Sequence, residues 1–125
     1  MTLRVDVVQN TSGGAVTLTD QTAAKAWVNL NGTGTVAIRA SQNVSSITDD
    51  GTGRYQVNFS TAFSDANYAA IATVSRDTNG GSSFGNIAGH TNYDPVPTTS
   101  NVHVHANSDD GSSQDKVYVY AAMFR

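Results

Sequence analysis

Between Lys25 and Ser60 the chain reads KAWVNLNGTGTVAIRASQNVSSITDDGTGRYQVNFS, a series of short extended segments separated by Asn, Gly, Thr and Asp. Trp27-Val28-Asn29-Leu30 and the run from Thr35 to Ala40 flank Asn31-Gly32-Thr33-Gly34. Glycine reaches positive φ without a Cβ clash, so this spacing predicts a β-hairpin. Tyr55, Val57 and Phe59 alternate with Gln56 and Asn58, as a strand with one buried face requires. Turn residues recur too often here for long helices, and the core has to be assembled from strands.

The remaining segments extend that pattern. Leu3-Arg4-Val5-Asp6-Val7 alternates apolar and charged residues, and Ala15 to Thr19 reads as a second strand. Asp20 to Ala26 is expected to form one short helical turn with Asp20 as its N-cap. A β-sandwich domain is expected over 24–125. Val44 to Thr48 is extended, and Asp49 to Gly53 is expected to turn. Tyr68 to Val74 is apolar almost throughout, which predicts a central strand covered on both faces. Phe84 to Ala88 begins a further strand. Pro95 and Pro97 call for an extended stretch poor in hydrogen bonds. Asn101–Ala106 and Lys116–Phe124 alternate, joined by a turn over Asn107–Asp115. The sum is an all-β fold, an antiparallel β-sandwich of jelly-roll-like form with about eight or nine strands.

Only 38% of the 125 residues are hydrophobic. The large apolar side chains expected in the core are few: Trp27, Phe59, Phe63, Phe84, Phe124, Leu3, Leu18 and Leu30. A domain of this length hides about two-thirds of its extended surface, and oligomerisation would supply burial that a thin core lacks; the alternative is a well-folded monomer with a small, Val-rich sandwich core. The formal charge is −3, with seven basic residues scattered singly. Duplex nucleic acid, which needs a concentrated basic face, is therefore not an expected partner. All ten acidic residues are Asp, the carboxylate suited to turns. With no Cys there is no thiol nucleophile or thiolate metal site. Neither a signal-peptide apolar core nor a membrane-spanning run is visible, so membrane insertion is not expected.

The block over 24–75 resembles a small β-rich module of bacteriophage tail-fibre and related virion-surface proteins. In that family KAW-V-N-F-NGTGTVAIR-x-S-x-NVSSITD-x-GTG-x-Y-x-VNF is followed by a D-A-N-Y turn and a last strand ending in Phe plus one residue. Here those later elements are Asp65-Ala66-Asn67-Tyr68 and Ala122-Met123-Phe124-Arg125. The chain departs from the pattern at Leu30, where Phe is usual, and at Arg54, where an acidic residue is common. Arg76 to Gln114 matches nothing specific. The resemblance implies a non-enzymatic virion structural protein, assembled in the host cytoplasm, homotrimeric and bound to other virion proteins, with residues 1–23 leading into the domain as an N-terminal arm or inter-subunit element. Its expected place is a tail fibre or appendage, where it could contact host cell-surface glycan. The alternative is a capsid decoration protein clamping neighbouring capsomers of the phage head.

Candidate site residues divide by chemistry. His103 and His105 sit two apart on a strand and share a face, so both imidazoles could converge on a metal. Three copies about a three-fold axis would offer six nitrogens; the plain alternative is two histidines on a solvated face opposite Val102, Val104 and Ala106. Tyr93, Tyr118 and Tyr120 offer flat rings with polar tips, and Asn107 and Asp109 offer hydrogen bonds, a mixture that suits a sugar; Tyr118 and Tyr120 share a strand face, so one of them could instead meet a subunit interface or the core. Asp49-Asp50-Gly51 and Asp109-Asp110-Gly111 are oxygen-rich but lack the calcium-loop spacing and its closing Glu. No nucleophile elbow or paired-carboxylate pattern stands out, so neither an enzymatic activity nor a cofactor is expected.

Overall fold

The structure, a computed structural model, describes Ser12 and residues 17–18, 21–75, 83–87 and 96–125. Its elements are β1 (Thr17–Leu18), β2 (Gln21–Thr22), β3 (Ala26–Asn31), β4 (Ala37–Gln42), β5 (Val44–Gly51), β6 (Arg54–Phe59), β7 (Ala69–Val74), β8 (Ser83–Ile87), β9 (Asn101–Ser108) and β10 (Val119–Phe124). Eight of them form two antiparallel four-stranded sheets, ordered β4-β3-β10-β7 and β5-β6-β9-β8, while β1 and β2 pair with each other. The all-β antiparallel sandwich expected from the sequence is what the chain forms. The expected strand over Leu3–Val7 lies outside the described residues.

Alternation fills the space between the sheets. Ala26, Val28 and Leu30 of β3 and Val119, Ala121 and Met123 of β10 point inward from the first sheet. Tyr55, Val57 and Phe59 of β6 and Val102, Val104 and Ala106 of β9 meet them from the second. The core is built largely of Val and Ala, so burial is distributed over many small side chains. Phe59, Phe63 and Tyr68 close one end as an aromatic cluster, with ring centroids 4.7 to 5.9 Å apart. The Tyr68 hydroxyl lies 3.0 Å from both the Thr98 and Asn101 carbonyl oxygens, and burial pushes its pKa up to about 12.

Several segments depart from the sequence reading. The short helix expected over Asp20–Ala26 does not form over 21–26, where Gln21–Thr22 is a strand and Ala26 opens β3, while its expected N-cap Asp20 lies outside the described residues. So few residues could not nucleate a helix against strand pairing on either side. β5 continues through Asp49-Asp50 to Gly51, with register irregularities that absorb the extra residues. β7 is an edge strand, not a central one, and Ile71 on it is 61% exposed. Trp27, expected in the core, projects outward from β3 and is 36% exposed.

Candidate functional site

The two outer faces of the sandwich have opposite character. On the second sheet the outward positions of β5, β6 and β9 carry Ser46, Thr48, Gln56, Asn58, His103 and His105, by register and alternation. Asn58 Nδ2 donates to Ser46 Oγ and Thr48 Oγ1, both at 3.1 Å, and Gln56 Nε2 donates to Asn58 Oδ1. This is a polar face with its groups largely satisfied.

His103 and His105 lie on that face, opposite the buried Val102, Val104 and Ala106, as their spacing predicts. His103 is only 7% exposed, however, and its Nδ1 stands 3.2 Å from Asp50 Oδ2. The extension of β5 through Asp50 is what brings this carboxylate across to β9. Among the described residues no group of three or more His, Asp or Glu is placed to hold a metal ion.

Asn107 and Asp109 belong to the β9 end and the turn beyond it. Asn107 Nδ2 donates to the Gly111 carbonyl at 3.0 Å, whereas its Oδ1 is buried and accepts no hydrogen bond. Asp109 is exposed beside the better-organised Asp110. Asp110 Oδ1 accepts from Ser112 Oγ (2.6 Å), Ser108 Oγ (2.7 Å) and the Ser112 amide (2.9 Å). These donors hold the Asp110 pKa down at about 2. The Asp109-Asp110-Gly111 turn thus spends its best acceptor on its own backbone and hydroxyls. Tyr93 lies outside the described residues.

Tyr120 lies on β10 and Tyr118 directly precedes that strand, both more than a third exposed. Their rings are parallel within 3° at a centroid separation of 6.1 Å. The Arg39 guanidinium sits 4.5 Å from the Tyr118 ring centroid. It also donates to the Val117 carbonyl and to Asn31 Oδ1, so the cation is held in place over the aromatic ring.

Sequence reasoning missed the partners of these tyrosines. Cross-strand register lines up Ile71, Ala122, Trp27 and Gln42 in one row, and Thr73, Tyr120, Asn29 and Ala40 in the next. Ala122 is small, so Ile71, Trp27 and Tyr120 wall a groove of about 240 Å³ above it. The lining is almost wholly apolar. Trp27 Nε1 donates to Gln42 Oε1 at 3.1 Å, which fixes the indole at the rim. Asn29 Oδ1, in the adjoining row, is enclosed and accepts no hydrogen bond. Trp27 and Ile71 were legible as apolar residues; their shared outward face depends on pairing between strands distant in sequence.

Several residues within 24–75 serve the scaffold. Asn43 holds a positive φ of 54° where β4 passes to β5, and its side chain grips Thr61 through both amide nitrogen and oxygen. Asp65 of the DANY turn is clamped by the terminal Arg125 through Nε (3.0 Å) and Nη2 (2.5 Å). Gly53 at φ 65° leaves no room for a Cβ, which would stand 2.4 Å from the Ala106 oxygen. No family model, curated protein or solved structure matches this chain.

Proposed function

We propose that the chain is a non-enzymatic structural module of a bacteriophage virion, set in a tail fibre or another appendage. The observation that carries this reading is the outer face of the β4-β3-β10-β7 sheet. It gathers Trp27, Ile71, Tyr118 and Tyr120, each more than a third exposed, on a sandwich whose other outer face is polar. Aromatic residues with an anchored Arg and no clustered charge are the make-up of a contact surface rather than of a reaction centre. The KAW, NGTGTVAIR, NVSSITD, VNF and DANY elements support the phage assignment.

The jelly-roll-like form belongs to the same proposal. Passages between sheets from β4 to β5, β6 to β7, β7 to β8 and β9 to β10 favour it, while the β3–β4 and β5–β6 hairpins stay within a sheet. Host contact in this reading falls on the exposed turn around Asp109, since the groove lacks the hydrogen-bonding groups that orient a sugar. Capsid decoration is the second reading, favoured by the breadth of the apolar face. Immunogold microscopy of purified virions with an antibody to this chain tests both: label on the tail or appendages is the expected result. Label spread over the head would replace the proposal with decoration, and particles without label would overturn both.

A further inference from the structure

We infer that the outer face of the β4-β3-β10-β7 sheet is a self-association surface, on which a second copy of this chain packs sheet against sheet about a two-fold axis. The inference stands on this face and not on the virion reading.

The first argument is β7 itself. Its sequence, AAIATV, is apolar at nearly every position, the pattern of a strand covered on both faces. The fold covers only one of them, through Ala70, Ala72 and Val74 against the core. Ile71 is left on the bare side at 61% exposure.

The second argument is charge. At the outward positions of these four strands there is no Asp, Glu or Lys, although the chain carries ten carboxylates and a net charge of −3. Arg39 beside Tyr118 is the only charged residue within these four strands, and it is already held by Asn31 and Val117. Two acidic molecules thus approach on this side with the least repulsion, and a face with satisfied Arg and little other charge loses little on desolvation.

The shape of the face fits a copy of the same surface. The face bears an open groove of about 240 Å³ over Ala122, and Ile71, the most exposed of its walls, stands up beside it. A two-fold pairing places each copy's Ile71 into the other's groove, as a self-complementary patch requires. Four strands of six residues present a face on the order of 400 Å² in projection. That projection is about half of the ~800 Å² each partner gives to a stable complex, and the relief of its side chains has to supply the rest. The symmetry that follows is two-fold, in place of the three-fold expected from the resemblance.

Sedimentation equilibrium of the full chain between 1 and 100 µM tests this, with Ile71→Asp as the interface variant and Thr48→Asp as a control on the polar face. The expected result is twice 13.1 kDa for the wild-type chain and for Thr48→Asp. Ile71→Asp should weaken association by at least about 30-fold with its circular dichroism unchanged. A monomeric wild-type chain at 100 µM, a trimer, or a dimer that survives both Ile71→Asp and Ala122→Arg would overturn the inference.

Discussion

The Tyr55 hydroxyl oxygen lies 3.1 Å from the Gly32 carbonyl oxygen, joining the second sheet to the β3–β4 turn of the first. The same hydroxyl meets Asp115 Oδ1 at 3.1 Å, and that carboxylate oxygen accepts the Gly53 amide at 2.7 Å. Burial and the neighbouring Asp115 carboxylate push the Tyr55 pKa well above the usual phenol range, so it remains a donor. One side chain thereby fixes the loop from β9 to β10, the β5–β6 turn and the first hairpin.

Tyr55→Phe should cost about 1–2 kcal/mol, the loss of one shared buried hydrogen bond. Gly32→Ala should cost more, about 2–4 kcal/mol, because its Cβ would stand 2.2 Å from the Tyr55 hydroxyl oxygen. Urea unfolding monitored by circular dichroism reads both. In Gly32→Ala/Tyr55→Phe, part of the clash is relieved, so the double variant should lose less than the sum of the two.

Asn43 combines two roles that substitution can separate. Asn43→Gly keeps the positive φ and gives up the grip on Thr61, whereas Asn43→Ala gives up both. Asn43→Ala should therefore be less stable than Asn43→Gly by about 1 kcal/mol, and equal denaturation midpoints would show that the left-handed backbone carries no strain.

Asp110 and Asp65 each contribute a small acid-sensitive share of stability. Ser112 and Ser108 lower the folded pKa of Asp110 to about 2, and the Arg125 clamp lowers that of Asp65. A depressed folded pKa gives stability that is present above the unfolded pKa, near 3.9, and is lost as pH falls through the folded value. The loss for Asp110 thus spans about pH 4 to 2. Asp110→Asn should flatten the fall of melting temperature across that window and leave the curve above pH 5 parallel to wild type; both groups are exposed, so the effect is small.

Trp27 is the only tryptophan, and it stands on the proposed interface. Its emission should shift to longer wavelength on dilution as the face becomes wet, and Ile71→Asp should show the long-wavelength spectrum at every concentration. Emission that is the same in both chains throughout would place Trp27 outside the contact.

The fold was legible where alternation and turn chemistry agree. Tyr55, Val57 and Phe59 announce β6, and Asn31 to Gly34 announces the first hairpin, because both signals are local. β7 misled because AAIATV is apolar at nearly every position, yet as an edge strand it packs one face on the core and leaves Ile71 exposed on the other. Trp27 misled for the related reason that size alone does not choose between core and interface. His103 was readable as a neighbour of His105, but its burial against Asp50 rests on the long β5, whose Asp49-Asp50-Gly51 looks like a turn. The row of Ile71, Ala122 and Trp27 comes from three strands far apart in sequence, and nothing short of the sheet order reveals it.

The most direct test uses the absence of cysteine in the chain. Ile71→Cys and Ala122→Cys, each made singly, reduced, mixed at equal concentration and oxidised, should yield a disulfide-linked heterodimer as the main product. Thr48→Cys under the same conditions should remain uncrosslinked. If the Ile71→Cys and Ala122→Cys mixture gives no more linked species than Thr48→Cys, the β4-β3-β10-β7 face is not where copies of this chain meet.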